Sequence, residues 1–232
     1  MEFIAEIGLN YNGNHTLLQE LIRQASLCGA DFAKFQLGWR DQPNEINHHT
    51  PESIRTILRI CEFYSIEPLF SIFHEEALSL LLSQTQNLHT VKLASRTFSQ
   101  DIQLCERIAQ SFSRVIASTG MIDHSSIPKL PFKAELLWCI SQYPPDIKEL
   151  SKMPENFISS EFCGISDHFL GISASLLAIS RGAKIVERHF TLDQTNETIR
   201  DHQISTTPHE LSTLINIGRH LSSTTYCSLE KS

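Results

Sequence analysis

The chain has 232 residues, of which 41% are hydrophobic and 19% charged. This composition can bury a core, and it excludes disordered, collagen-like and coiled-coil proteins. The formal net charge of −7 gives no reason to expect a nucleic acid or an anionic membrane as a partner. The N-terminus lacks the basic and apolar regions of a signal peptide, and no apolar run reaches the ~20 residues that span a bilayer.

Short apolar runs alternate with amphipathic segments along the chain. Eight runs predict β-strands, at Phe3–Gly8, Phe32–Gln36, Pro68–Ile72, Thr90–Ala94, Arg114–Ser118, Glu135–Cys139, Phe162–Ser166 and Lys184–His189. They are almost continuously apolar, as strands covered on both faces are. Helical patterns lie between them, at Leu17–Cys28, Pro51–Tyr64, Glu75–Ser83, Gln100–Phe112, Gly171–Arg181 and Pro208–His220, with a degraded pattern at Ser125–Lys129.

Eight successive β/α units predict an α/β fold, the (β/α)8 TIM barrel. A doubly wound sheet is the alternative, but such sheets rarely use eight evenly spaced parallel units in so short a chain. No linker divides the sequence. We therefore expect one barrel domain over residues 1–221, followed by a polar, frayed tail over residues 222–232.

The six cysteines are widely spaced, at Cys28, Cys61, Cys105, Cys139, Cys163 and Cys227. They form no CxxC pair and match neither a zinc ribbon nor a small disulfide scaffold. Reduced thiols in a cytoplasmic protein are the expectation.

Two lysines are the first sign of chemistry, because Lys34 and Lys92 lie inside otherwise apolar strands. A buried ammonium group needs an anion. One such lysine could pair with a barrel carboxylate such as Glu6. Serines end three of the surrounding strands, at Ser95, Ser118 and Ser166. Two lysines with these hydroxyls favour a bound phosphate, alone or with a carboxylate.

Two histidines, His168 and His189, end adjacent predicted strands. A pair of imidazoles with open coordination positions suits a divalent transition metal. The alternative is a pair of hydrogen-bonded histidines at the barrel rim. These residues predict a barrel enzyme that handles a phosphorylated anion with a divalent metal. They leave aldol, phosphoryl and lyase chemistry open.

Seven segments at the strand ends carry a resemblance to a known family. They are Ala5–Asn10 with Gly13, Gly29–Asp31 with Lys34–Gln36, Val91–Ser95, Ala117–Met121, Tyr143–Pro144, Gly164–His168 with Gly171, and Val186–Asp193. In this order they resemble the sialic acid synthase family, N-acetylneuraminate synthase and its relatives, from residue 2 to about residue 219.

The resemblance implies a reaction between phosphoenolpyruvate and N-acetylmannosamine or a related amino sugar, giving a nonulosonic acid and phosphate. It implies that Mn²⁺ or Mg²⁺ binds to His168 and His189. The implied catalytic residues are Glu6, Lys92 and Asp201, with Glu6 orienting water or the metal shell and Asp201 contacting the sugar. The implied substrate-binding residues are Lys34, Gln36, Ser71, Ser95, Ser118, Ser141, Tyr143 and Ser166.

The sequence departs from the family pattern in several places, among them Ser141, which stands where the family has an asparagine, and the segment Phe70–Phe73, which is one residue short. Thr97 stands where the family has an acidic residue, and Tyr11 stands where it has a histidine. The family's C-terminal antifreeze-like domain is absent from these 232 residues. Two alternatives therefore stay open: condensation with a different aldehyde, or an impaired barrel that binds a ligand or needs a separate C-terminal domain. Family members are homodimers, so the resemblance implies either a homodimer or a separate C-terminal domain as the partner.

Overall fold

The computed structural model describes residues 1–229, with side chains through residue 223. Eight parallel strands, β1 to β8 in chain order, pair consecutively and close into a barrel because β1 also pairs with β8. The strands are Glu2–Glu6, Phe32–Leu37, Glu67–Ile72, Thr90–Leu93, Arg114–Ser118, Glu135–Cys139, Phe162–Asp167 and Ile185–His189. The fold is the predicted (β/α)8 barrel, and all eight strands lie where the apolar runs indicate them.

Seven α-helices, α1 to α7, account for most of the connections. They are His15–Leu27, Pro51–Phe63, Glu75–Gln84, Ser95–Gln100, Ile102–Ser111, Ser173–Ser180 and Pro208–Leu229. Two 3-10 helices, Ile147–Lys152 and Arg200–Ile204, lie in the loops after β6 and β8. No helix in the described part of the chain is both long and apolar enough to span a membrane.

Two helix predictions need correction, and one helix was not predicted. The weak pattern at Ser125–Lys129 forms turns and coil rather than a helix. The predicted Gln100–Phe112 helix is present as α5, but the short helix α4, which starts directly after β4, was not predicted. Helix α7 continues past His220 to Leu229, so the predicted tail is helical up to that residue. The rest of that tail, residues 230–232, and the side chain of Cys227 lie outside the described part.

Strand alternation builds the inside of the barrel in layers. Successive side chains of a strand point to opposite faces, so residues two apart share a face. Six inward-facing apolar side chains form a closed cluster: Ile4, Phe32, Leu69, Ile116, Leu137 and Ile185. Two residues further along these strands, the inward side chains become polar. The apolar cluster therefore forms the floor beneath a polar layer at the carboxyl ends of the strands.

The strand register brings the polar residues to one height. Glu6 pairs in register with Lys34 on one side and with His189 on the other. Ser71 is likewise aligned with Lys92 across the β3–β4 pair. Because the barrel is closed, residues distant in sequence lie across a narrow interior from one another.

The helices cover the outer face of the sheet through apolar stripes. Helix α1 buries Leu18, Leu21, Ile22 and Ala25, which share one helical face, and the Asn14 side chain caps its N-terminus. Helix α2 starts with Pro51 and has a capping box in which Thr50 and Ser53 satisfy each other's backbone N–H groups. These caps fix where the helices begin, and hence the lengths of the loops that border the polar layer.

Candidate active site

A cavity of about 300 Å³ opens at the carboxyl ends of the strands. All thirteen residues proposed from the sequence line it: Glu6, Lys34, Gln36, Ser71, Lys92, Ser95, Ser118, Ser141, Tyr143, Ser166, His168, His189 and Asp201. This is the position of active sites in (β/α)8 barrels. Their common location makes the cavity the candidate active site, while the role of each residue stays a prediction.

Lys34 lies at the base of the cavity between two carboxylates. Its Nζ is 3.1 Å from Glu6 Oε2 and 3.5 Å from Glu187 Oε2, and all three side chains are buried. Burial would lower the pKa of Lys34, but the facing carboxylates Glu187 and Glu6 raise it. Lys34 is therefore a permanent cation. The sequence-based alternative, a lysine paired with the Glu6 carboxylate, is what the structure shows for this residue.

Glu6 and Glu187 respond differently to the same surroundings. Burial raises the pKa of Glu6, although Lys34 opposes the shift. Burial also acts on Glu187, but the charges of Lys34 and Lys92 outweigh it and lower the pKa of that carboxyl. Two carboxylates beside one lysine share the charge unequally. Glu187 is therefore the carboxylate that stays ionised, and Glu6 is the carboxyl group that accepts a proton more readily.

Lys92 has weaker partners than Lys34. Its Nζ donates hydrogen bonds to Ser118 Oγ at 2.6 Å and to the Leu93 carbonyl at 3.0 Å, and lies 3.8 Å from Glu187 Oε1. Burial lowers the pKa of Lys92 to about 8. A buried ammonium without a close counterion is a site that an anion would stabilise.

The cavity serines are held by the backbone and by Glu187. Ser166 donates to Glu187 Oε1 at 2.7 Å, and Ser71 donates to the Phe35 carbonyl at 3.3 Å. Ser95 Oγ accepts the Gly120 N–H at 3.0 Å. These contacts fix the hydroxyl positions before any ligand binds, which lowers the ordering cost of binding.

His168 and His189 meet at one side of the cavity, with ring centroids 5.4 Å apart. Nδ1 of His168 lies 2.9 Å from the Ile140 carbonyl, which leaves Nε2 as the free lone pair when Nδ1 is protonated. Nδ1 of His189 is buried without a hydrogen-bond partner. Burial lowers the pKa of His189, so its imidazole stays neutral, as a metal ligand must.

The donor set fits a divalent ion that keeps open positions. Within the described residues, no group of three or more His, Cys, Asp or Glu side chains is arranged to hold a metal. Two imidazoles would therefore share the ion with water or substrate. Nδ1 of His189 has no hydrogen-bond partner and lies 3.9 Å from Asp201 Oδ2, which favours an ion here over a pair of fully hydrogen-bonded rim histidines.

A buried ion pair behind the histidines anchors their strands. Arg188 Nη1 is 2.9 Å from Asp167 Oδ1, and the guanidinium also donates to the carbonyls of Asp167, Phe169 and Ile204. Asp167 in turn accepts hydrogen bonds from the Phe169 N–H and the Ser175 hydroxyl. Because Asp167 and Arg188 directly precede His168 and His189, this network fixes the strand ends that carry both rings.

Aromatic stacking closes the outer part of the cavity. The Tyr143 ring stacks on His168 at 4.2 Å, and Arg200 lies over the other side of Tyr143, its Cζ 3.9 Å from the ring centroid. The Arg200 guanidinium is 3.4 Å from Asp201 Oδ1. Asp201 and Tyr143 are thus ordered next to the histidine pair.

Several lining residues were missed by the sequence-based site prediction: Trp39, Phe73, Ala94, Arg96, Met121, Glu187 and Arg200. Glu187 could have been found, since it lies two residues before His189 on one strand and therefore faces the same interior. Arg96 lies in the short helix α4, and Arg200 begins the 3-10 helix Arg200–Ile204, each in the connection that follows a strand. No spacing rule distinguishes such side chains from solvent-exposed loop residues.

Thr97, the position that departs from the acidic residue of the family, does not line the cavity. Its side chain is buried in α4 and donates a hydrogen bond to the Ile72 carbonyl at 3.1 Å. The residue serves here as a link between α4 and the end of β3.

Fold and site together define a (β/α)8 barrel with an enzyme-type cavity at its strand ends. The chain belongs to the NeuB family, whose model matches residues 45–226. This match confirms the resemblance to the sialic acid synthases.

Similar proteins agree with this assignment. An uncharacterized protein of Methanocaldococcus jannaschii is 32% identical over 92% of this chain and 68% of its own length. A crystal structure of the N-acetylneuraminic acid (sialic acid) synthetase of Leptospira borgpetersenii, in complex with citrate, is 28% identical, with a TM-score of 0.83 over 96% of this chain and 84% of that chain. These findings support a sugar-acid synthase-type function.

A structural match at lower sequence identity is evidence for the fold alone. The spore coat polysaccharide biosynthesis protein spsE of Bacillus subtilis is 22% identical, with a TM-score of 0.76 over 98% of this chain and 69% of that chain.

Proposed function

We propose that this protein condenses phosphoenolpyruvate with N-acetylmannosamine or a related amino sugar, giving a nonulosonic acid and phosphate with the help of Mn²⁺ or Mg²⁺. One observation carries the proposal: two buried lysines, Lys34 and Lys92, share a single cavity with the His168–His189 pair. The lysines suit a multiply charged anion at the base, and the imidazoles suit an ion beside it.

Phosphoenolpyruvate would bind in the deep part of the cavity. Lys92 is the principal cation, because its nearest carboxylate oxygen is 3.8 Å away and its ammonium group can turn to a ligand. Lys34 adds a second positive charge, and Ser95, Ser118 and Ser166 supply hydroxyls. Charge-assisted hydrogen bonds of this type are about twice as strong as neutral ones.

His168 and His189 would hold the divalent ion, which, when bound, supplies a Lewis acid for the aldehyde oxygen of the sugar. Asp201 and Tyr143 lie next to this pair and would orient the sugar, Asp201 by accepting a hydrogen bond from a sugar hydroxyl and Tyr143 by packing. Positioning of the two reactants lowers the entropic part of the barrier.

In the proposed reaction, C3 of phosphoenolpyruvate forms a bond with the aldehyde carbon as the C2=C3 and C=O π bonds break, and the aldehyde oxygen takes up a proton to become a hydroxyl. Water adds to C2, and its first proton balances the one taken up by the aldehyde oxygen. The second proton leaves with phosphate as the bond from C2 to the phosphate oxygen breaks, which gives the 2-keto acid. Glu6 would orient this water and accept a proton from it. The pKa of Glu6 is raised, and Gln36 Nε2 fixes the carboxyl by donating a hydrogen bond of 2.6 Å to its Oε1. The electron pair of the C2–O bond departs with phosphate, so atoms and charges balance.

Phosphate release from phosphoenolpyruvate with Mn²⁺, with and without N-acetylmannosamine, tests the proposal. The wild type is compared with His189→Ala and with His209→Ala, a matched control at an exposed position of α7. Release that requires both the sugar and His189 is the expected result. Release in neither condition, despite binding of metal and phosphoenolpyruvate, would contradict the proposal.

A second candidate is a barrel that binds these ligands without turning them over, or one that needs a separate C-terminal domain. The placement of Thr97 favours it, because a threonine that is bonded to Ile72 cannot transfer a proton into the cavity. Phosphate release would distinguish the two candidates directly.

A further inference from the structure

The rim of the cavity has a guanidinium group that no carboxylate neutralises. Arg96 lines the cavity directly after Ser95, and its Cζ lies 4.8 Å from the centroid of the Trp39 ring. Among the described residues, this ring contact is its only side-chain partner. Stacking on Trp39 restricts the side chain while the N–H edge stays available. Arg96 is therefore ordered and free to bind an anion.

The charges that line the cavity leave Arg96 as the excess cation. In the deep layer, Lys34 and Lys92 face two carboxylates, Glu6 and Glu187. At the rim, Arg200 has Asp201 as its neighbour. Arg96 adds one more positive charge, in a chain whose net charge is −7. A local positive potential on an acidic protein attracts small anions to this mouth.

The depth of the cavity separates Arg96 from the proposed phosphoenolpyruvate site. Lys34 and Lys92 are 4% and 1% exposed, whereas Arg96 is an exposed residue at the opening. An anionic group bound to Arg96 at the opening would therefore belong to the second substrate rather than to phosphoenolpyruvate. That substrate is the aldehyde sugar, whose reactive end must point inward toward the histidine pair.

We propose that Arg96 selects an aldehyde sugar that carries an anionic group, a phosphate monoester or a carboxylate, at the end remote from its aldehyde. The inference rests on the proposed function and narrows its second substrate. A neutral amino sugar would leave the ordered guanidinium without a partner, whereas a phosphate or carboxylate matches its planar, forked donors.

The test measures consumption of phosphoenolpyruvate with three sugars that differ in one group: N-acetylmannosamine, its 6-phosphate and the corresponding 6-carboxylate. The proteins are the wild type, Arg96→Gln, Arg96→Lys and the control Arg55→Gln, which alters an exposed arginine of α2 that pairs with Glu52. In the wild type, we expect a KM for the preferred anionic sugar at least about tenfold below that for the neutral one. The phosphate and carboxylate arms identify which anion is preferred.

Substitution of Arg96 should change only the KM for the anionic sugar. In Arg96→Gln, the KM for the anionic sugar should rise about tenfold, while the KM values for phosphoenolpyruvate and the neutral sugar stay unchanged. Arg96→Lys should restore part of the loss, and Arg55→Gln should behave as wild type. The advantage of the anionic sugar should also shrink as ionic strength rises.

Two kinetic results would overturn the inference: equal KM values for neutral and anionic sugars, or a rise in the KM for phosphoenolpyruvate in Arg96→Gln. If no sugar supports consumption, the proposed function fails and calorimetry decides the inference separately. With saturating phosphoenolpyruvate, binding of the sugar phosphate or sugar carboxylate that weakens about tenfold in Arg96→Gln supports a role for Arg96 in anion binding. Equal binding by both proteins refutes it.

Discussion

Arg188 Nη1 lies 2.9 Å from Asp167 Oδ1 behind the two cavity histidines, and neither side chain is more than 2% exposed. The same guanidinium donates to three backbone carbonyls, so the pair joins β7, β8 and the 3-10 helix Arg200–Ile204. Its role is to fix the strand ends at the cavity. Substitution should therefore affect stability first.

Arg188→Met should lower the free energy of unfolding by about 3–5 kcal/mol, because Asp167 would stay buried without its counterion. Urea unfolding followed by circular dichroism measures the change. Arg107→Met is the control, since Arg107 pairs with Glu75 at the surface, and it should cost less than about 1 kcal/mol. Similar costs for both variants would contradict the proposed role of the buried pair.

Lys92 should give phosphoenolpyruvate binding an alkaline limit. Burial lowers its pKa to about 8, so the ammonium form, which attracts the anion, is present below that pH and is lost above it. The dissociation constant should therefore rise above pH 8 and approach a tenfold increase per pH unit. Calorimetric titrations between pH 6.5 and about 9.5 check this. Lys92→Met should bind weakly at every pH, and a pH-dependent rise that persists in this variant would assign it to another group.

His168 and His189 should each be needed for tight binding of Mn²⁺. His168→Gln or His189→Gln should weaken the ion by at least about tenfold, because only two protein ligands are proposed. Electron paramagnetic resonance of free Mn²⁺ measures the binding without any requirement for activity. His209→Gln should bind as the wild type does. Unchanged affinity in both cavity variants would place the ion elsewhere.

Gly164 should be intolerant of a side chain. A Cβ at this position would meet the backbone of Ile185 on the neighbouring strand, with the carbonyl carbon 2.8 Å away. Gly164→Ala must therefore push β7 and β8 apart, and we expect a loss of about 1–3 kcal/mol in the free energy of unfolding. Gly13→Ala is the complementary case, since Gly13 has a φ of +71° and the nearest atom is 3.4 Å from the added Cβ, so its cost reports backbone strain without a steric overlap. A Gly164→Ala protein as stable as the wild type would show that the strands can separate freely.

Most of the fold can be predicted from the sequence. Eight apolar runs of suitable length predict eight strands, and all eight are present because each strand is covered on both faces. The helices are predicted less well. The pattern at Ser125–Lys129 is too short to nucleate a helix, whereas α4 forms over a polar segment because it packs directly at the end of β4, with Phe98 buried.

The candidate site is predictable to the extent that it follows strand alternation. The thirteen residues named from strand ends and from the family resemblance line one cavity. Glu187 escapes this list although its strand position identifies it. The rim residues Arg96, Arg200 and Trp39 lie in the connections that follow the strands, and their approach to the cavity depends on how those connections fold over the barrel.

The sequence by itself determined the barrel and the layer of polar residues at its mouth, because a period of two assigns each strand residue to a face without reference to its neighbours. Only the tertiary structure decided which charged side chains lie next to one another. Lys34 is paired with two carboxylates whereas Lys92 has none within 3.5 Å, and Arg96 lies on Trp39 rather than beside an acid. Such distances follow from barrel closure and loop packing, which bring together residues that lie far apart in the chain.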